Sequence, residues 1–463
     1  MDYKEHFHSL IDLGNYEDAF TYLKKFKGYA YEEPFYFANM GWMYNQFHDY
    51  ENAKSYLLTG LRVFEKDGWM YAQLGCTYNR CMEYDKALDC FYHALDLEFD
   101  ESWIHYEMCI AHRERKEYEE AYEEIENALL DVPDHLGYME ECGDLLITME
   151  QYAKAKEIYE KAFALSNEPY YQLMIAQCLE KDARYEEALS LYEKIHAEEL
   201  RSEIALHKGI CQYYLQQYEQ ARSDLNDAHL LGRDDTLLYQ YMGRVYQSLD
   251  QNEQAELCFQ RALTYYQRAF DNYEDRRWLY QEMIDVASLM QDPSHLLDIV
   301  EKGLHEYGGE AWIRYQAARA YSDVQQYDQS IPIIQNTDAS IYSDEFDYLL
   351  AHDLGRARRQ SEAIAVLEKL LHAHPNDTWI LCEYGWNLAG MEYYEAAVKM
   401  FQKALAIEED PYCEAMIGWC YYQLEQQDKA IAYLKKAEEL GFDQEWLIPL
   451  CQDCEEKQKA EVK

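Results

Sequence analysis

Alanine recurs along this chain like the marks on a ruler. From Ala19 to Ala53, Ala87, Ala121, Ala155, Ala188, Ala221 and Ala255 the numbering advances by 34, 34, 34, 34, 33, 33 and 34. Ala363, Ala397 and Ala430 continue at 34 and 33. No other property constrains the fold as much. A unit of this length cannot bury its own apolar face and must stack on its neighbours. The product is a long shaped surface instead of one enclosed cleft.

An aromatic residue precedes most of these alanines by three places, as Tyr16, Tyr50, Tyr84, Tyr118, Tyr152, Tyr185 and Tyr218 do. A large residue follows four places after, as Leu23, Leu57, Phe91, Tyr159, Leu225 and Phe259 do. Offsets of three and four share one helical face. About a dozen places upstream sits a small anchor: Gly41, Gly75, Cys109, Gly143, Ala176, Gly209, Gly243, Gly385 or Gly418. Glycine inside a helix costs about 1 kcal/mol relative to alanine. Its return at a fixed place therefore points to close helix–helix approach. Each period reads as two amphipathic helices joined by a short turn, such as residues 46–49 or 80–83.

These anchors resemble the tetratricopeptide repeat family, whose signature is W-x2-L-G-x2-Y, then A-x3-F, then P. Tyr71, Leu74, Gly75, Tyr78, Ala87, Phe91 and Ala94 follow it, with Tyr71 in the place of tryptophan. Pro133 and Pro375 match the terminal proline, which most repeats here lack. The resemblance covers nearly the whole chain. It implies an all-α fold, a right-handed superhelical solenoid of antiparallel helix pairs whose first helices line the concave wall.

The interval from Ala255 to Ala363 holds three periods plus a surplus. Placing the missing anchors at Leu296 and Ser330 gives steps of 41, 34 and 33, hence thirteen repeats. The expected layout is eight regular repeats over 1–262 and an extended helix or insertion over 263–283. Five further repeats over 284–442 follow, the first three degenerate, with a capping helix and tail over 443–463. Residues 265–283 read as uninterrupted helix. Pro332 is expected to kink or shorten its helix.

The net charge is -46, from 88 acidic and 42 basic residues. Such a field opposes nucleic acid and anionic membranes and favours a basic protein or peptide partner. No apolar run approaches the roughly 18–20 residues that span a bilayer. The first residues do not resemble a signal peptide, and the 13 cysteines are odd in number. Reduced thiols and a cytoplasmic location are expected.

Catalytic signatures are absent: no Walker A loop, no G-x-G-x-x-G, no H-E-x-x-H and no G-x-S-x-G. A non-enzymatic chain without cofactor or metal is expected. His105, Cys109 and His112 share a helical face with zinc-like spacing, but they occupy packing positions. Cys451 and Cys454 lack a second pair. Some family members clamp a chaperone's terminal carboxylate with Lys and Asn. Lys4 and Asn39 match that pattern, whereas His8, Trp69 and Gln73 depart from it.

A second face of the first helices carries aromatic and polar residues at offsets of three and four. We assign to it, as partner-binding candidates, Trp42, Asn45, Trp69, Asn79, Trp103, Tyr106, Arg113, Trp312, Tyr315, Arg319, Trp379, Trp386 and Trp419. Tryptophan, tyrosine and arginine are the residues enriched in binding hot spots. The fifth repeat instead shows acidic Glu140 and Asp144 there, a place for a partner's lysine or arginine. The function expected is a scaffold that binds a peptide or protein segment in an aromatic groove. Two alternatives stand beside it: an acidic chaperone or immunity-type protein masking a basic partner, and an unrecognised enzyme or ligand-sensing module.

Overall fold

In the computed structural model, residues 3–29, 33–273, 275–338, 340–444 and 446–461 are described. These residues form 27 α-helices and three short 3-10 turns, with no strand. The chain divides into two compact units, residues 1–234 and 235–463. The first holds seven antiparallel helix pairs. The second holds six pairs and the closing helix Leu447–Glu461. Each unit is a stack of helix pairs, the arrangement expected of a helical solenoid.

The alanine ruler marks the second helix of each pair. Ala19, Ala53, Ala87, Ala121, Ala155, Ala188, Ala221, Ala363, Ala397 and Ala430 are all fully buried. Leu296 and Ser330 hold the same place in the irregular pairs and are buried too. The small anchor of each first helix faces the large residue of its own second helix. A Cβ added at Gly75 would lie 2.5 Å from the Phe91 ring, and one at Gly143 would lie 2.4 Å from Tyr159. Gly41 and Leu57, Gly209 and Leu225, Gly243 and Phe259, and Gly418 and Leu434 repeat the contact. Glycine is required because the ring or isobutyl group occupies the volume a side chain would take.

The turn inside each pair is also periodic, though its residue type is not. His48, Met82, Lys116, Glu150, Ala183, Gln216, Asp250, Gln325, Arg358, Glu392 and Glu425 all have φ between 57° and 65°. The following amide closes the first helix by reaching back along it, as Glu83 N–H does to Tyr78 O at 2.9 Å and Gln217 N–H to Gln212 O at 2.8 Å. This is the Schellman closure, which usually recruits glycine. Only the first pair uses one there, Gly14, at φ 74°.

The surplus near residue 265 differs from expectation. The helix Asn252–Ala269 runs for 18 residues. It then ends in the 3-10 turn Phe270–Asn272, and a new helix starts at Arg277. Arg276 folds back and breaks the run: its Nε donates to Phe270 O at 2.9 Å, and its guanidinium lies 4.6 Å from the Phe270 ring centre. Arg276 and Arg277 pair with Glu306, Asp275 and Glu310. The helix containing Pro332, Tyr327–Gln335, is short at nine residues. The eight-residue Tyr185–Tyr192 is shorter still, and the segment after it sends Ile195 into the core.

Candidate functional site

The first groove forms where three successive first helices, Phe35–Gln46, Gly68–Arg80 and Ser102–Glu114, present the same face. Trp42, Trp69 and Trp103 line it together with Asn45, Gln46, Gln73, Arg80 and Glu107, around a volume of about 550 Å3. Each tryptophan is half-buried. Trp69 and Trp103 are one period apart and both open their helices, whereas Trp42 sits two helical turns further along its own. The groove is walled by aromatic faces and floored by polar groups. Arg80 and Glu107 form an ion pair across that floor at 2.7 Å.

A second groove of about 700 Å3 lies in the other unit, bounded by the helices Thr378–Gly390, Pro411–Gln423 and Leu447–Glu461. Trp386, Tyr412, Met416, Trp419, Phe442, Trp446 and Leu450 line it. The Arg356 guanidinium lies 4.0 Å from the Trp386 ring centre and pairs with Glu383 at 3.1 Å. Sequence periodicity misses Trp446 because it precedes the closing helix and belongs to no repeat position. A further hollow of about 870 Å3 lies elsewhere, between the second helices Tyr118–Asp131 and Tyr152–Ser166. Leu130 and Leu165 line it with Ile158 and Lys161.

The polar candidates are engaged with neighbouring repeats. Asn45 donates to Gln73 O at 3.3 Å and accepts from Thr77 Oγ1 at 3.0 Å. Asn79 is buried and donates to Glu107 O and Oε2, both at 2.9 Å. Arg113 pairs with Glu141. A polar side chain in the last turn of one first helix thus reaches the middle of the next first helix. Burial makes these bonds costly to surrender to a partner. In the fold Asn79 and Arg113 staple one repeat to the next through Glu107 and Glu141.

Other candidates scatter. Tyr106 stacks on Tyr138 with ring centres 5.1 Å apart. Trp312 donates from Nε1 to Glu310 at 2.8 Å, and Tyr315 sits edge-on to Phe346 at 5.6 Å. Arg319 is exposed, its Nε 4.0 Å from Asp323. Trp379 leans on Tyr348 at 5.1 Å. None of these five lines either aromatic groove. The acidic pair of the fifth repeat is likewise occupied: Glu140 accepts from Tyr171 Oη and Asp144 from Tyr159 Oη, each at 2.5 Å. Lys4 pairs with Glu33, and Asn39 donates to Phe35 O at 2.8 Å in its own helix. The carboxylate clamp therefore has no ready cation at Lys4.

His105 bonds Glu124 at 2.5 Å and Asp100 at 2.9 Å, whereas His112 bonds Glu117 at 2.8 Å. The two histidines address different partners and do not converge. Burial pushes the thiols of Cys90, Cys142, Cys178 and Cys420 up to about 12. A thiol so placed is protonated at neutral pH and a poor nucleophile. No helix among the described residues is long and apolar enough to cross a membrane.

Comparison with known proteins follows this geometry. The family profile described as "Tetratricopeptide repeat" matches residues 140–169, 238–268, 380–411 and 415–440. All four segments lie on regular helix pairs, and none falls in the irregular stretch after Ala269. These four segments carry tetratricopeptide repeats. No curated protein matches the sequence. Among solved structures, a tetratricopeptide repeat protein from Parabacteroides merdae is 17% identical, with 56% of this chain and 98% of that chain covered and a TM-score of 0.44. Yeast Tom70 is 16% identical, with 93% and 96% covered and a TM-score of 0.41. YrrB, titled a TPR protein with an unusual peptide-binding site, is 20% identical, with 39% and 95% covered and a TM-score of 0.35.

Proposed function

We propose that the chain is a non-enzymatic interaction scaffold and that the groove of Trp42, Trp69 and Trp103 is its main capture surface for a peptide or protein segment. Tetratricopeptide repeats as a class support the broader statement. The observation that carries the finer one is the convergence of three half-buried tryptophans from successive first helices on one groove of about 550 Å3. Aromatic faces beside hydrogen-bonding groups suit an extended chain, whose side chains need contact area and whose amides need partners. The partner is basic, in keeping with a net charge of -46. In the groove Glu107 already holds Arg80, so a partner's cation has to compete with that arginine.

The test separates recognition from packing. Arrays of basic, neutral and acidic peptides are probed with the intact chain, and the best binder is titrated against the wild type and Trp69→Ala. Loss of a binding anchor worth about 2 kcal/mol weakens affinity roughly 30-fold. The melting temperature should then change little. If Trp69→Ala lowers the melting temperature sharply while the folded fraction binds as before, the groove is inter-repeat core.

A further inference from the structure

Two cysteines and an aspartate of the second unit meet at a place that the aromatic grooves do not use. Cys382 lies on the helix Thr378–Gly390, and Cys413 in the first turn of Pro411–Gln423. Their Sγ atoms are 2.9 Å apart. Asp410 caps the second of these helices and brings a carboxylate oxygen to the pair. One ligand atom from each of the three residues lies within 4.8 Å of the other two. Among the described residues this is the one such group of three metal-capable side chains. Cys413 is fully buried, while Cys382 and Asp410 are half-buried, so an ion has a way in.

We propose that Cys382, Cys413 and Asp410 bind one thiophilic divalent cation of the zinc class, with water in the fourth position. Two thiolates and a carboxylate are a borderline-soft donor set suited to zinc, not to calcium or magnesium. Tetrahedral bonds of about 2.3 Å place two sulfurs about 3.8 Å apart. The pair must therefore open by roughly 1 Å, which a rotation of the half-buried Cys382 about χ1 supplies. Asp410 Oδ1 already accepts the Tyr412 amide at 3.0 Å, which fixes the carboxylate beside the two sulfurs. Binding releases two protons, one per thiol, and leaves the centre with one net negative charge. The ion would join the first helices of the last two pairs.

The probe is zinc itself, added to the reduced full chain and removed by dialysis, with retained metal counted by atomic emission. The expected result is one zinc per chain, with affinity reduced at least ~10-fold in Cys382→Ser and in Asp410→Asn. Zinc should raise the melting temperature of the wild type but not of these variants. Cys451→Ser serves as the control that retains the ion. Cobalt substitution gives a second readout on the wild type: thiolate-to-cobalt charge-transfer absorption with the intensity of two sulfurs. Equal retention by wild type and both variants overturns the proposal, as does a reduced chain that takes up no zinc. A cobalt spectrum without thiolate bands overturns it as well, and so does oxidation of the pair to a disulfide in a chain that binds no metal when reduced.

Discussion

Single residues decide how the repeats of the first unit are held together, and His207 is the sharpest case. Its imidazole is buried against Glu180 at 2.9 Å and Glu203 at 3.2 Å. Tyr192 and Cys211 also address Glu180, Gln177 faces the ring, and Arg233 faces Glu203. Burial alone would pull His207 down, but the hydrogen bonds to Glu180 and Glu203 outweigh it and raise it to about 9. A group raised in the fold stabilises fully below its ordinary value near 6.5 and loses that contribution as pH climbs through 9. The gain amounts to a few kcal/mol at most. Thermal melts between those limits should show the wild type losing stability, while His207→Gln changes much less over the same range. Equal slopes for the two proteins would remove the imidazolium from the account.

At the scale of the helix, each pair is locked by a small residue facing a large one. Gly75→Ala would place its Cβ 2.5 Å from the buried Phe91 ring. Alanine gains about 1 kcal/mol in helix propensity over glycine. Overpacking a tight contact costs about 1–3 kcal/mol. The second effect wins, because Phe91 is fully buried and cannot swing away. Gly75→Ala should therefore melt earlier than wild type, and Phe91→Leu placed with it should recover part of the loss. A Gly75→Ala chain as stable as wild type would show that the helices can separate cheaply. The turns follow a different rule: their left-handed residue is Met82, Lys116 or Glu150 as readily as glycine. Backbone closure imposes that conformation, and composition gives no hint of it.

Across the whole chain the governing quantity is a net charge of -46. Many of the ion pairs are local and exposed, such as Arg184 with Glu187 and Lys302 with Asp298. Pairs of this kind contribute about 0–1 kcal/mol each. Uncompensated acidic repulsion acts over the full length, within a Debye length of about 10 Å at 0.1 M salt. Screening therefore relieves more repulsion than it removes attraction. Raising neutral salt from about 10 mM to about 0.5 M should raise the melting temperature. A fall would mean that specific pairs, such as Arg80 with Glu107, outweigh the general field.

The period, the helix pairing and the buried face were legible because each rests on a local constraint repeated many times. Ala87 must be small, Phe91 large and Gly75 bare in one repeat, and the same holds one period on. The helix boundary at Arg276 was not legible, since it depends on one guanidinium folding back onto Phe270. The candidate surface divides along the same line. Trp42, Trp69 and Trp103 shared a recognisable helical face, and the fold brings them into one groove. Trp386 and Trp419 share the other, completed by Trp446 from outside the repeats. Asn79 and Arg113 lie near the same face in sequence but are consumed by Glu107 and Glu141 of the next repeat. Periodicity reports which way a side chain points along its own helix. Only tertiary structure decides what stands opposite, because that neighbour comes from a helix of the following repeat. The same holds for Cys382 and Cys413, unremarkable when far apart in the chain and in contact once the repeats stack.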